Sequence, residues 1–131
     1  MPNKKRPLSP HLQVYRLGFQ MVLSGLHRIA GMALGLGTLI MVWWAMALAS
    51  GAEAYAVFEG VMVHPLGRLV LFGFTFSLIY HGLNGIRHLV WDTGRGFEKE
   101  AVKASGLLVV ALTVLLTVAV WVFAYMQAGK I

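Results

Sequence analysis

The chain has 131 residues, of which 58% are apolar and only 12% are charged, so it has too few polar side chains to cover a globule in water. Its formal net charge is +6, but no nucleic-acid-binding motif accompanies the basic residues, and we expect them to meet lipid rather than DNA or RNA. The absence of cysteine excludes disulfides, Cys-ligated iron–sulfur clusters and covalent c-type haem attachment within the chain.

The amino-terminal segment does not have the layout of a signal peptide, because no apolar core follows its basic residues. It is also too short, and too interrupted by proline, to form an amphipathic import sequence. We therefore expect a multi-pass protein of a bacterial inner (plasma) membrane, with the mitochondrial inner membrane as the less favoured alternative.

Three long uncharged runs, at 29–50, 69–86 and 104–129, predict membrane-spanning helices. Each run is long enough for a helix to cross ~30 Å of hydrocarbon. With their flanking residues they predict helices over about 24–50, 65–91 and 104–128. The expected fold is all-α, an integral membrane three-helix bundle that forms a single membrane-anchor domain over residues 1–131.

The distribution of basic residues predicts the orientation of this bundle. Most of them lie before the first run or between the second and third, at Lys4, Lys5, Arg6, Arg16, Arg95, Lys99 and Lys103. The first connection instead carries Glu53 and Glu59, with no basic residue before Arg68. By the positive-inside rule the amino terminus lies inside and the carboxyl terminus outside, and Lys130 is the one exception.

The first predicted helix opens on a polar group formed by Ser24, His27 and Arg28. Ser24 and Arg28 are one helical turn apart, so a hydroxyl and a guanidinium can reach one acceptor, such as a quinone carbonyl or a haem propionate. Alternatively, Arg28 extends to a lipid phosphate and Ser24 bonds to its own helix. Gly31 and Gly35 then form a G-x-x-x-G pair, which favours close helix contact.

The second predicted helix contains His81, an ionisable side chain at a depth where such groups need a functional or structural reason. His81 is six residues before Arg87, hence roughly 9 Å deep if Arg87 marks the interface. His88 and Asp92 return to the same helix face, and so does Gly85. A histidine beside glycine offers an axial ligand for haem iron and room for the ring. The alternative is a histidine hydrogen-bonded to a neighbouring helix.

A second axial histidine is not expected within this chain. His11, His64 and His88 belong near the membrane surfaces and His27 near the inner mouth, so a bis-histidine haem would need a ligand from another subunit. Arg87 lies about 120° from His81, so it need not share the face of His81 and could equally anchor in lipid. Asp92 could end the helix, pair with Arg95 or pass protons. The apolar segment LLVVALTVLLTVAVWVF of the third predicted helix has no ionisable residue, and no catalytic constellation supports independent activity.

Three segments together resemble the cytochrome b subunit of succinate dehydrogenase, respiratory complex II: RPLSPHLQVYR, SGLHRIAG and HGLNGIRHLVWD. This resemblance implies a membrane anchor of succinate:quinone oxidoreductase, an enzyme of the tricarboxylic acid cycle and respiratory chain, without catalytic activity of its own. It implies FAD and iron–sulfur clusters only in the partner flavoprotein and iron–sulfur subunits. The rival interpretations are a haem-free structural anchor and a haem-handling or small transport protein, although transporters usually have more polar residues within the membrane.

The same resemblance implies roles for individual residues. His81 would be an axial ligand of haem b, with the other ligand supplied by a small companion anchor subunit. Ser24 and Arg28 would form part of the ubiquinone pocket, while His27 and Arg28 would approach the haem propionates. His88 and Asp92 would lie near the haem edge or in a proton path. The chain departs from the family pattern at two positions, Gly25 and Ala30, which would reshape the quinone pocket.

Overall fold

A computed structural model of the chain describes residues 15–130, and these residues form four helices. The helices are α1 (Phe19–Ser50), α2 (Ala52–Val63), α3 (Pro65–Asp92) and α4 (Lys99–Gln127). The expectations for Lys4, Lys5, Arg6 and His11, and most of the segment RPLSPHLQVYR, lie outside the described residues.

Three of the four helices, α1, α3 and α4, are long and apolar enough to cross a membrane, in agreement with the predicted number of membrane helices. Two of them begin earlier than the sequence indicated, α1 at Phe19 rather than near Ser24 and α4 at Lys99 rather than near residue 104. Hydropathy detects only the part of a helix that lies in hydrocarbon. Lys, Glu and Gln are good helix formers, so the helices continue beyond that part.

Helix α2 lies in the connection between the first two predicted membrane helices. Gly51 separates it from α1 with a φ of 100°, a backbone conformation that residues with a Cβ rarely adopt. With 12 residues α2 is about 18 Å long, too short to cross the hydrocarbon. It packs through Phe58, whose ring lies 4.9 Å from that of Trp43 on α1. His64 then caps α3 by accepting a hydrogen bond from the backbone N–H of Leu66.

A thin core lies between the three long helices. It contains Leu23 of α1, Tyr80 of α3 and Val109 of α4, with Ala30 beside them. Glycine allows the close approaches, because a Cβ on Gly106 would lie 2.8 Å from the side chain of Leu23. Most of the large apolar side chains in the described part of the chain point outward, as expected when the surrounding solvent is lipid.

Candidate functional site

Three histidines meet where α1 packs against α3. The ring centroid of His27 lies 4.1 Å from that of His81 and 5.2 Å from that of His88. The structure thus places the His27 ring beside that of His81, a contact that the sequence did not predict. The sequence could not predict it because a position counted along one helix says nothing about where a second helix crosses it.

The orientation of His81 is set by a contact with α1. Its Nδ1 lies 3.2 Å from the backbone carbonyl oxygen of His27. A carbonyl oxygen only accepts, so Nδ1 donates, and in the neutral imidazole the lone pair is then on Nε2. A ring fixed by one nitrogen and basic at the other is the usual arrangement of a histidine that ligates a metal. The backbone of α1 therefore fixes the tautomer of His81, which belongs to α3.

Gly31 provides the space in which the His81 ring lies. A Cβ at Gly31 would be 3.0 Å from Cε1 and 3.4 Å from Nδ1 of His81, whereas a Cβ at Gly35 would meet nothing within 4 Å. Within the described chain, the two glycines of the G-x-x-x-G pair therefore do not both contact another helix. Only Gly31 has a close neighbour, and that neighbour is the side chain of His81. Gly82 and Gly85 on α3 also border open space, which leaves room for a flat group beside His81.

His27 contributes a polar atom that lacks a partner. Its Nε2 is buried and has no hydrogen bond within the described residues. A buried polar atom left unpaired costs about 1–3 kcal/mol, so Nε2 calls for a hydrogen-bond partner that the described residues do not supply. His27 is not placed to be the opposite axial ligand, because rings with centroids 4.1 Å apart leave no space for a porphyrin between them.

Ser24 and Arg28 lie on the flank of α1 rather than in the core. Both are exposed, whereas Leu23 and Ala30 on the same helix are buried. They nevertheless lie near the histidine cluster. The carbonyl of Leu23, next to Ser24, accepts a 2.9 Å hydrogen bond from the hydroxyl of Tyr80, which is next to His81. A ligand held by Ser24 and Arg28 would consequently not be enclosed by the described residues.

His88 and Asp92 form the end of the histidine face of α3. His88 is exposed, and its Nδ1 lies 2.7 Å from the carbonyl oxygen of Asn84, which leaves Nε2 at the surface. Asp92 is exposed and is the last residue of α3, one turn beyond His88. Across the described residues, no three His, Asp or Glu side chains converge to hold a metal ion. A haem iron would need only one ligand from this chain.

Arg87 lies inside the bundle, so it neither anchors in lipid nor shares the histidine face. It is 7% exposed, and its guanidinium donates to Gln20 Oε1 on α1 at 2.7 Å, to Ser105 Oγ on α4 at 2.9 Å and to the carbonyl of Val102 at 2.7 Å. The guanidinium carbon also lies 4.2 Å from the centroid of Trp91. Arg87 thereby joins three helices beside the histidine cluster. The one sequence signal for this role is the presence of Gln20 and Ser105 near the ends of apolar helices.

Comparison with known proteins gives one consistent result. Residues 2–120 match the family model of the succinate dehydrogenase/fumarate reductase transmembrane subunit. The chain is 40% identical to the succinate dehydrogenase cytochrome b556 subunit of Rickettsia felis, over 90% of this chain and 92% of that protein. It is 42% identical to the cytochrome b556 subunit of Paracoccus denitrificans, over 86% of this chain and 87% of that protein. It is also 42% identical to the mitochondrial cytochrome b560 subunit of Mus musculus, over 86% of this chain and 68% of that protein.

Proposed function

Because this chain belongs to the succinate dehydrogenase/fumarate reductase transmembrane subunit family, we propose that it is the cytochrome b anchor of a succinate:quinone oxidoreductase. The chain binds haem b through His81 and forms part of the site where ubiquinone is reduced. The observation that carries the proposal is the geometry of His81, whose Nδ1 is committed to the His27 carbonyl so that Nε2 is left as a ligand.

The residues around His81 fit a haem. His81 supplies one axial nitrogen, and the glycine-lined surface beside it offers space for a flat macrocycle. The unpaired Nε2 of His27 and the exposed guanidinium of Arg28 are suited to the propionates. When bound, the haem supplies one-electron redox chemistry. A further protein ligand for the haem iron would come from a small companion anchor subunit, since His27 is stacked on His81.

Ser24 and Arg28 serve the quinone. One turn apart on the exposed flank of α1, they present a hydroxyl and a guanidinium that donate hydrogen bonds to a quinone carbonyl. The iron–sulfur subunit closes the pocket and delivers electrons that originate from succinate oxidation at FAD in the flavoprotein subunit. His88 and Asp92, exposed at the end of α3, lie near the haem edge and can pass protons between this region and the aqueous phase.

The orientation follows from charge. With the amino terminus and the α3–α4 connection on the inner face, the histidine cluster lies on the side from which soluble partner subunits reach the membrane. The proposed location is a bacterial inner membrane, and the relatives include both bacterial and mitochondrial proteins. The second candidate function is a haem-free structural anchor with the same spans. It would not explain the orientation of His81 or the buried nitrogen of His27 that has no partner among the described residues.

The test is an absorption spectrum of the complex purified with its partner subunits. We expect a b-type haem spectrum in the wild type, and its loss or strong perturbation in His81→Ala. His64→Asn is the matched control, because it removes a histidine from the opposite end of α3 and retains a side chain able to cap that helix. A low-spin spectrum that is the same in His81→Ala as in the wild type contradicts the ligand assignment. A wild-type complex with no Soret band supports the haem-free anchor.

A further inference from the structure

Two basic residues lie at the less basic end of the bundle: Lys130, the exception to the charge pattern, and Arg68 at the start of the second span. Arg68 lies in the first helical turns of α3 and Lys130 lies just beyond α4, both at the end of the bundle opposite to the histidine cluster. They are the only basic residues at that end within the described chain. The positive-inside rule would place basic residues at the other end, so these two ask for a separate explanation.

Both residues line the same groove. Its volume is about 360 Å³, and it lies between the carboxyl-terminal part of α4 and the α2–α3 region. Its walls are apolar and aromatic and include Leu71, Val120 and Trp121. The two acidic residues nearest in sequence to Arg68, Glu53 and Glu59, are not among the groove's lining residues. Among the described residues, the groove therefore combines two cations with an apolar wall and no acidic side chain.

The groove has the dimensions and polarity of an amphiphile site. From Arg68 to Thr75, both of which line it, α3 advances about 10 Å, enough for the first part of an acyl chain. The Tyr125 and Trp121 rings have centroids 6.0 Å apart, and Lys130 Nζ lies 6.0 Å from the Tyr125 centroid. Aromatic side chains of this kind mark the headgroup level of a bilayer, where an anionic group would meet the two cations.

We propose that this groove binds an anionic phospholipid, with the phosphate between Arg68 and Lys130 and an acyl chain along Leu71, Val120 and Trp121. The proposal does not depend on the haem or quinone assignments, because none of these residues belongs to that site. It also explains why two cations are placed where they oppose the general charge pattern.

The test uses the complete purified complex, depleted of lipid, and a phosphatidylglycerol with a photoreactive diazirine near the head of one acyl chain. We expect adducts on peptides covering residues 119–128 or 68–75, competed by unlabelled phosphatidylglycerol but not by phosphatidylcholine. With Arg68→Gln and Lys130→Gln combined, half-maximal labelling should need roughly thirtyfold more lipid, since each cation near an anionic headgroup contributes about 1 kcal/mol. Each single variant should need roughly fivefold more.

Two matched variants separate charge from disruption. Arg68→Lys with Lys130→Arg keeps both cations and should keep the labelling, whereas Arg95→Gln with Lys103→Gln removes two cations from the other end and should leave adducts in the groove unchanged. The proposal is overturned by equal labelling with a phosphatidylcholine probe, or by unchanged labelling in the double glutamine variant. It is also overturned if adducts are missing from both peptides, which would show that a partner subunit covers the groove.

Discussion

The substitution Gly31→Ala tests whether the glycine opposite His81 is required to orient the haem ligand. The added Cβ would lie 3.0 Å from His81 Cε1, whereas two carbons in ordinary contact are about 3.5–4.0 Å apart. The imidazole must therefore move by roughly 0.5 Å or more. Its hydrogen bond to the His27 carbonyl is already 3.2 Å long, so a shift of that size removes the bond.

The expected size of the effect follows from that hydrogen bond. A bond of this kind contributes about 1 kcal/mol, which corresponds to roughly fivefold weaker haem retention, with displacement of Nε2 as a further perturbation. The assay is the ratio of haem to flavin in the purified complex, together with the reduced-minus-oxidised spectrum. Succinate oxidation by a soluble artificial acceptor should be unchanged, because that reaction needs no membrane site.

Gly35→Ala is the matched control, since it adds the same methyl group one turn further along α1, where nothing lies within 4 Å. Both substitutions raise helix propensity to a similar degree, so a general effect on α1 would appear in both. If Gly31→Ala and Gly35→Ala give the same haem content and the same spectrum, the proposed contact between Gly31 and His81 has no functional consequence.

Two further predictions concern α1 and the centre of the bundle. Ser24→Ala and Arg28→Ala should each impair ubiquinone reduction, because each removes a proposed hydrogen-bond donor to the quinone. Succinate oxidation by a soluble acceptor should be spared, because both side chains are exposed on the flank of α1. Parallel loss of both activities would indicate failed assembly instead. Arg87→Met should lower the free energy of unfolding by about 2–3 kcal/mol, through the loss of three hydrogen bonds between helices, measured as thermal stability of the complex. Arg95→Met, at an exposed position, should change it by less than about 0.5 kcal/mol, and an equal effect of the two would refute a clamping role for Arg87.

The sequence was sufficient for the three membrane helices, and it named His81 as a candidate ligand, which stays a prediction. A helix in hydrocarbon must satisfy its own backbone and carry apolar side chains over a set length, and both requirements are local properties of the chain. The cost of an ionisable group in the membrane likewise singles out His81 wherever its neighbours lie. The resemblance carried by SGLHRIAG and HGLNGIRHLVWD is confirmed by the family match. Helix α2 escaped prediction because its 12 residues are fewer than a membrane-spanning helix needs, so its apolar character did not stand out as a span.

The contacts between helices were decided only by the tertiary structure. One face of α1 meets α3, and that packing stacks His27 on His81, commits His81 Nδ1 to a carbonyl and gives Gly31 a role that Gly35 lacks. The same packing draws Arg87 inside, where sequence position alone left a lipid anchor equally reasonable. Hydropathy reports the average polarity of the side chains along a helix. That average does not depend on how the helix is rotated about its axis. Which side chains meet across the bundle depends on that rotation, and close packing of small residues selects it.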